Sequence, residues 1–420
     1  MEFNKFKLKE LLQVNPRMTL KKGSKAKKIA MENIKEFQKK IDNFTIEEFK
    51  SGSKFQNGDT LLARITPCLE NGKTAYVDIL EDEEIAFGST EFFVLRPIDN
   101  KLDSQFLYYL FRTKKIREVI IKSMTGTSGR QRAQKDAILE YECEIPTIEY
   151  QRKIAIILKN LDDKIEINKK TIANLEELSQ TLFKRWFVDF EFPDEDGNPY
   201  KSSGGEMIDS ELGEMPKNWK VNKLKKFTKK ISSGGTPSRK VKAYWEYGEI
   251  MWLKTKEVKE KMIVTTEENI TDLGLLKSSA KIINENSTVI AMYGATAGQI
   301  AYLGCKMATN QACCTIESEY PNFIYNYFVY NANYIKTLSS GSAQQNLNKK
   351  IIEDLKLLVP SLKVLNHYES SVNSNTSLIK SLTLSNLKLQ ELRDTLLPKL
   401  MSGEIEIPDD IEVNTDELSI

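Results

Sequence analysis

The feature that most constrains this chain is an internal repeat, in which the second half restates the first at an offset near 214 residues. Within residues 151–187, apolar residues and asparagines recur at alternating steps of four and three, and residues 364–401 have the same spacing. This heptad spacing predicts two long helices with narrow seams. The predicted seam positions are Leu158, Leu161, Ile165, Asn168, Ile172 and Leu175, then Val372, Asn375, Ile379, Leu382, Asn386 and Leu389.

Each predicted helix has about 37 residues and would be roughly 55 Å long, given the helical rise per residue. Two such helices, separated in the sequence by a globular segment, can pair antiparallel as a spacer. Asn168, Asn375 and Asn386 fall in the seam, where a buried amide can fix the register of a coiled coil. The alternative, two unrelated amphipathic helices, does not account for a constant offset.

Weaker matches extend the repeat into the globular parts, where buried-strand runs and turn residues predict mixed domains. The matched segments are 59–64 with 287–292, 72–76 with 298–302, 88–91 with 308–311, and 125–132 with 339–346. The predicted class is therefore α+β, with two mixed α/β domains, two long helices pairing as an antiparallel coiled coil, and an internal pseudo-twofold repeat. The predicted boundaries are a domain at 1–150, a helix at 151–187, a linker at 188–216, a domain at 217–363, a helix at 364–401 and an acidic tail at 402–420.

Charge is spread unevenly along the chain. The net charge is only +2, which excludes a uniformly basic surface. Lys and Arg nevertheless outnumber Asp and Glu by 13 to 7 in residues 1–50, and by 14 to 4 in residues 217–261. Each half thus opens with a basic stretch, and the two stretches indicate two surfaces for a polyanion such as DNA. The alternative is that such lysines only solvate helix faces.

Several classes of protein are excluded by what the sequence lacks. No apolar run approaches the roughly 18 residues that span a bilayer, so we expect a soluble, cytoplasmic protein. One histidine and five cysteines without a CxxC pair leave little for a metal site or for Cys-His or Ser-His catalysis. Gly72-Lys73-Thr74 lacks the first glycine of a P-loop, whose place Pro67 takes. We therefore expect no catalytic residue, no metal and no cofactor.

Polar loops in both halves have the chemistry for contacting DNA. Arg can grip guanine with two hydrogen bonds, Asn and Gln can do so to adenine, and small polar residues suit the phosphate backbone. The alternative for each residue is an ordinary polar turn, and the arginines can equally clamp phosphates. The predicted DNA-binding residues are Arg64, Ser89, Thr90, Arg130, Gln131, Arg132, Lys135, Thr236, Ser238, Lys254, Thr296, Asn310, Gln311, Gln344, Gln345 and Asn346.

Five short motifs carry a family resemblance that covers nearly the whole chain. They are FKRWFVDFEFP at 183–193, PYKSSGGEM at 199–207, ELGEMPKNW at 211–219, SGGTPS at 233–238 and LLPKLMSGEI at 396–405. With the repeat, they make the sequence resemble the specificity (S) subunits of type I restriction-modification systems. The first half departs from this pattern, because it has neither the tryptophan lead nor the Ser-Gly-Gly-Thr-Pro cluster and starts with Phe3, Phe6 and Leu8.

The resemblance implies a non-catalytic DNA-recognition subunit. Each target-recognition domain would read one half of a bipartite double-stranded DNA target, and the paired helices would set the spacer. The implied partners are two methyltransferase (modification) subunits and motor-nuclease (restriction) subunits, with no membrane and no bound ATP or S-adenosylmethionine. One alternative is a coiled-coil adaptor without specific DNA binding. The other is a single-chain nuclease or methyltransferase with unrecognised motifs.

Overall fold

The computed structural model describes residues 3–127, 129–259, 261–340 and 346–408. These residues form two compact units. The first unit takes in the chain up to Glu166 and again from Lys388, and the second unit is Ile167–Leu387. Within the described ranges, no helix has the length and apolar content needed to cross a membrane.

The first globular part contains ten strands and three short helices before the first long helix. They are β1 (Phe3–Lys7), β2 (Leu12–Val14), β3 (Lys25–Ile29), β4 (Thr45–Glu48), β5 (Ser53–Phe55), β6 (Thr60–Ala63), β7 (Thr74–Tyr76), β8 (Ala86–Gly88), β9 (Phe92–Pro97), α1 (Ser104–Arg112), α2 (Lys114–Lys122), α3 (Lys135–Leu139), β10 (Glu142–Pro146) and the long helix α4 (Ile148–Phe187). Two four-stranded sheets have the orders β2-β9-β6-β7 and β4-β3-β8-β5, and β1 pairs with β10. All four residues of β6 are buried, including the polar Thr60.

The second globular part follows a connecting hairpin and ends in the second long helix. Its elements are β11 (Met207–Ser210), β12 (Gly213–Pro216), β13 (Lys220–Lys223), α5 (Leu224–Phe227), β14 (Lys230–Ser233), β15 (Ile250–Leu253), β16 (Met262–Ile263), β17 (Glu268–Ile270), α6 (Asp272–Leu276), β18 (Ile282–Ile283), β19 (Thr288–Ala291), β20 (Ile300–Leu303), β21 (Met307–Thr309), β22 (Cys313–Glu317), α7 (Pro321–Tyr330), α8 (Ala332–Ser340), α9 (Lys349–Asp354), β23 (Lys356–Val359) and α10 (Leu362–Ser402). Its sheets have the orders β14-β22-β19-β20-β16 and β17-β15-β21-β18, and β13 pairs with β23.

The strand registers of the two parts match, which confirms the predicted repeat and the α+β class. Thr60 lies opposite Tyr76 where β6 pairs with β7, and Thr288 lies opposite Tyr302 where β19 pairs with β20. The parallel pairing of β3 with β8 likewise reappears between β15 and β21. One predicted match was wrong by one residue. Gly88 ends β8 opposite Ile29, and Thr309 ends β21 opposite Leu253. Gly88 therefore corresponds to Thr309 rather than to Ala308.

The two long helices run antiparallel within each unit. In the first unit Asp162 of α4 pairs with Arg393 of α10. In the second unit Asn168 pairs with Asn386, and Ser179, further along α4, meets Asn375, further back in α10. The helical pairing confirms the predicted coiled coil, and the twelve predicted seam residues are all buried or half-buried.

Each unit buries its own end of the helix pair. In the first unit Leu158 of α4 and Leu397 of α10 share a core with aromatic residues of α1. In the second unit Phe183 and Trp186 of α4 pack with Tyr368 of α10 and with α7. The segment predicted as a linker contributes to this second core, since Phe190 and Phe192 are buried there. The aromatic residues of the motif FKRWFVDFEFP thus pack the C-terminal end of α4 into the core of the second unit.

Candidate nucleic-acid interface

Three segments of the first unit meet at one place, which we call the first junction: residues 64–66 after β6, residues 89–91 before β9, and the loop residues 125–127 and 129–134. The amide of Arg64 donates to the carbonyl of Glu91 at 2.9 Å, and the amide of Ala133 donates to the carbonyl of Arg64 at 2.8 Å. The amide of Thr66 donates to the carbonyl of Gln131 at 3.0 Å. The backbone therefore fixes where three predicted DNA-binding segments lie.

Arg132 makes an ion pair inside the first junction. Its Nε donates to both carboxylate oxygens of Glu91 at 3.0 Å, and its Nη2 donates to Oε1 at 2.7 Å. The hydrogen bonds from Arg132, together with its charge and that of Arg64, hold the pKa of the Glu91 carboxyl below its usual range. Sequence reasoning missed Glu91 as part of the site, although the turn containing it was matched in the repeat.

Arg64 lies beside this pair with its guanidinium 4.8 Å from the centre of the Phe93 ring. Its Nε is buried and has no hydrogen-bond partner among the described residues. A buried donor without a partner costs free energy, so the fold holds the Arg64 guanidinium here at a cost in stability.

The remaining predicted residues of the first unit lie on or near the first junction. The Ser89 hydroxyl accepts from the Glu91 amide at 3.1 Å and so stabilises its own turn. Thr90 and Arg130 are exposed, and the half-buried Gln131 contributes its carbonyl to the backbone network. Lys135 is exposed at the start of α3.

The second unit repeats the same backbone arrangement, which we call the second junction: residues 292–296, 310–312 and 346–347, with Thr236 beside them. The amide of Met292 donates to the carbonyl of Ala312 at 2.8 Å, as Arg64 does to Glu91. The amide of Leu347 donates to the carbonyl of Met292 at 2.9 Å, as Ala133 does to Arg64. Position 312 carries alanine, so the second junction has no counterpart of the Glu91 carboxylate.

Hydroxyl and amide side chains take the place of the ion pair in the second junction. The Thr236 hydroxyl donates to the Gln311 side-chain carbonyl. The Asn310 side-chain oxygen accepts from the Ala312 amide at 3.1 Å, in the place that Ser89 has in the first junction. Only glycine fits at position 234, because a Cβ there would clash with the carbonyl of Thr309. The Ser-Gly-Gly-Thr-Pro cluster therefore packs on its own domain.

Lys254 is held by carboxylates of its own domain rather than presented as a free cation. Its ammonium lies 2.7 Å from Glu268 and 2.9 Å from Glu267. Sequence reasoning missed these partners because they come from a strand that only the fold brings alongside. It also missed Arg239, whose guanidinium stacks 3.6 Å from the ring centre of Trp245.

The other predicted residues of the second unit are described by their local position and exposure. Thr296 ends a single 3₁₀ turn after β19, and its side chain is half-buried. Ser238 is exposed beside Arg239, and Asn346 is half-buried next to Leu347. Gln344 and Gln345 lie outside the described residues. Tyr247, in the basic opening of the second half, is 99% exposed.

The structure also describes the cysteines and the groups that could bind a metal ion. Among the described residues, no three His, Cys, Asp or Glu side chains converge so as to hold a metal ion. Burial raises the pKa of the Cys143 thiol to about 11 and that of Cys314 to about 12, which keeps both protonated and unreactive.

Two domains of one design, each with the same backbone junction and different side chains, define a duplicated recognition protein. The family model described as the type I restriction modification DNA specificity domain matches residues 1–177 and 216–367. The chain belongs to this family. Family membership gives it a DNA sequence-specificity role and does not favour the adaptor alternative.

Several similar proteins are specificity subunits of type I restriction enzymes. The specificity subunit of the type I restriction enzyme MjaIX from Methanocaldococcus jannaschii is 29% identical over 310 residues, covering 72% of this chain and 69% of the relative. The HindI specificity subunit from Haemophilus influenzae is 27% identical over 410 residues, covering 83% and 87%. The crystal structure of a type I S subunit from M. genitalium covers 97% of both chains with a TM-score of 0.56 and 16% identity, and it supports the fold.

Proposed function

We propose that each unit reads one half of a bipartite double-stranded DNA target through its junction. The observation that carries this proposal is the shared backbone geometry: two pairs of equivalent amide-to-carbonyl hydrogen bonds hold the loops in both units. The side chains on that common frame differ, with an arginine-carboxylate pair in the first junction and a threonine-glutamine pair in the second. A shared frame with different polar groups is suited to reading two different base sequences.

The long helices set the distance between the two half-sites in this proposal. A buried amide pair between Asn168 and Asn386 supports the role, because a slip of the helices would leave both amides without partners. The repeat gives the two helices equivalent faces, which suit two identical methyltransferase subunits. Those subunits and the motor-nuclease subunits supply the chemistry, and this chain supplies recognition in the cytoplasm.

The test is to express the chain with its methyltransferase partner in a methylation-free host and to sequence the genome by a method sensitive to modified bases. The proposal predicts a methylated bipartite motif that disappears when this chain is deleted. A motif that persists without the chain would overturn it. A stable protein complex with no motif and no salt-dependent DNA binding would instead support an adaptor.

The spacer role has its own test in the same host. Seven residues inserted near Ile172, with seven more near Leu382 in the opposite helix, preserve the heptad and add about 10 Å. We expect the gap in the motif to grow by roughly three base pairs, given the axial rise of DNA, while both half-sites keep their sequence. An unchanged gap would remove the ruler from the proposal.

A further inference from the structure

We propose that Glu91 is a specificity-determining residue, which orients Arg132 so that its free edge grips a guanine of the first half-site. This inference rests on the proposed function and deepens it. It assigns the two side chains different roles: Arg132 contacts the base, and Glu91 positions Arg132.

The bonds to Glu91 occupy one donor edge of the guanidinium and leave, on the adjacent edge, one N–H of each terminal nitrogen that Glu91 does not engage. A guanidinium has two donor edges, Nε with one terminal nitrogen and the two terminal nitrogens together. The bonds to Glu91 use Nε and Nη2, and none of them uses Nη1. The Nη1–Nη2 edge has the two parallel donors that match the O6 and N7 acceptors of guanine.

The backbone of Arg132 is fixed on both sides, so the direction of its side chain is preset. The amides and carbonyls of Thr125 and Arg132 exchange two hydrogen bonds, at 2.9 and 3.1 Å. On the other side both neighbours of Arg132 are held: the carbonyl of Gln131 accepts from the Thr66 amide, and the amide of Ala133 donates to the Arg64 carbonyl. A donor fixed before binding loses little conformational entropy when it meets its acceptor.

The charge balance favours a base contact over a phosphate contact. The Arg132 charge is already offset by Glu91, and a neutralised pair gains less from a phosphate than a free cation does. The carboxylate is the more shielded partner, since the Glu91 side chain is 24% exposed and that of Arg132 is 43% exposed. DNA approaching this surface can therefore meet the guanidinium edge, with the carboxylate behind it.

The second junction lacks this device because alanine stands at position 312, where the first has Glu91. Disturbing the ion pair should consequently alter only one half of the target. The other half serves as an internal control for folding, assembly and methyltransferase activity.

The experiment compares Glu91→Gln and Arg132→Ala with the wild-type chain, each expressed with the methyltransferase. Glu142→Gln is the matched control, because it removes an exposed ion pair with Lys5 on the same unit, outside the junction. The first readout is the methylated motif in the genome. The second is binding of the assembled complex to duplexes in which 7-deazaguanine, which lacks the N7 acceptor, replaces each half-site guanine in turn.

We expect Glu91→Gln to reduce the preference for guanine about tenfold at one position of the first half-site, within the usual discrimination of a bidentate contact. The second half-site and the Glu142→Gln motif should be unchanged. For the wild-type complex, 7-deazaguanine at that position should weaken binding, and for Arg132→Ala it should have no effect.

Two results would overturn the inference while leaving the proposed function intact. One is a wild-type bipartite motif whose first half contains no G·C pair. The other is a Glu91→Gln complex that binds every sequence more tightly with an unchanged motif, which would show Arg132 to be a phosphate contact restrained by Glu91. Loss of the bipartite motif from the wild-type complex would instead contradict the proposed function.

Discussion

The two units place the same residue type at equivalent backbone positions, but its side chain makes different contacts in each. Lys39 in the first unit and Lys261 in the second are an example. The carbonyl of Lys39 accepts from the Tyr76 amide, and the carbonyl of Lys261 accepts from the equivalent Tyr302 amide. The Lys39 side chain is buried against Tyr109, whereas the Lys261 side chain reaches outward to Glu176. Duplication has preserved the backbone and allowed each unit its own polar interior.

The helix pair differs between the units in the same way. In the first unit the seam contains a charged pair, Asp162 with Arg393, whose side chains are 6% and 7% exposed. The hydroxyl of Tyr109 donates to the same aspartate at 2.7 Å, so the pair connects the globular part to both helices. In the second unit the corresponding link is the neutral amide pair of Asn168 and Asn386. The first unit should therefore lose much more of its free energy of unfolding than the second when one partner of the pair is removed.

The largest expected effect is that of Arg393→Ala on the stability of the first unit. Removing the guanidinium leaves the Asp162 carboxylate buried without its counter-charge, which typically costs about 3–5 kcal/mol. The measurement is the free energy of unfolding from urea denaturation. The control is Lys380→Ala, on α10 in the second unit, which removes a surface ion pair with Glu285 and should cause only a small loss. Equal losses for the two variants would remove the distinction between buried and surface pairs.

The next effect concerns pH and the buried side chain of Lys39. Burial lowers the pKa of Lys39 to about 8, against about 10.5 for an unfolded lysine. Between these values the unfolded chain binds more protons, so the first unit gains stability as pH rises from about 8 to 10.5. Lys39→Met should remove this dependence of the free energy of unfolding on pH. A pH profile of unfolding that Lys39→Met leaves unchanged would contradict the assignment.

The smallest effect is expected for the amide pair of the second unit. Asn168→Ala leaves the Asn386 amide buried without its partner, at a cost of about 1–3 kcal/mol. Replacing both asparagines by leucine should recover that loss, because no unpaired polar group remains. Urea denaturation of the three chains measures this. A double variant as unstable as the single one would show that the amides contribute shape rather than hydrogen bonding.

The sequence predicted the elements whose signal is periodic. Heptad spacing predicted the pair of long helices, and the run 59–64 matched 287–292 in the correct register. Charged residues in the seam gave no such signal, because Asp162 and Arg393 resemble solvated positions until the fold brings them together. The same reason explains why the carboxylates around Lys254 and the role of Glu91 could not be predicted. Partners distant in sequence leave no local pattern.

The predicted DNA-binding residues divide along the same line. The loops were found from composition, since small polar residues mark turns whether they bind DNA or stabilise themselves. Which side chains already have a partner depends on the fold. Ser89 and Asn310 cap their own turns, and Lys254 is enclosed by carboxylates, whereas Thr90 and Arg130 remain exposed. Their assignment to bases or phosphates stays a prediction.

The central claim, that each junction reads its own half of the target, is tested most directly by the methylated motifs of two single variants. Arg132→Ala in the first junction and Gln311→Ala in the second are each expressed with the methyltransferase, and the host genome is sequenced for modified bases. The account predicts that Arg132→Ala alters one half of the motif, that Gln311→Ala alters the other, and that the gap between them is unchanged. Both variants altering the same half, or both weakening all sequences equally, would contradict it.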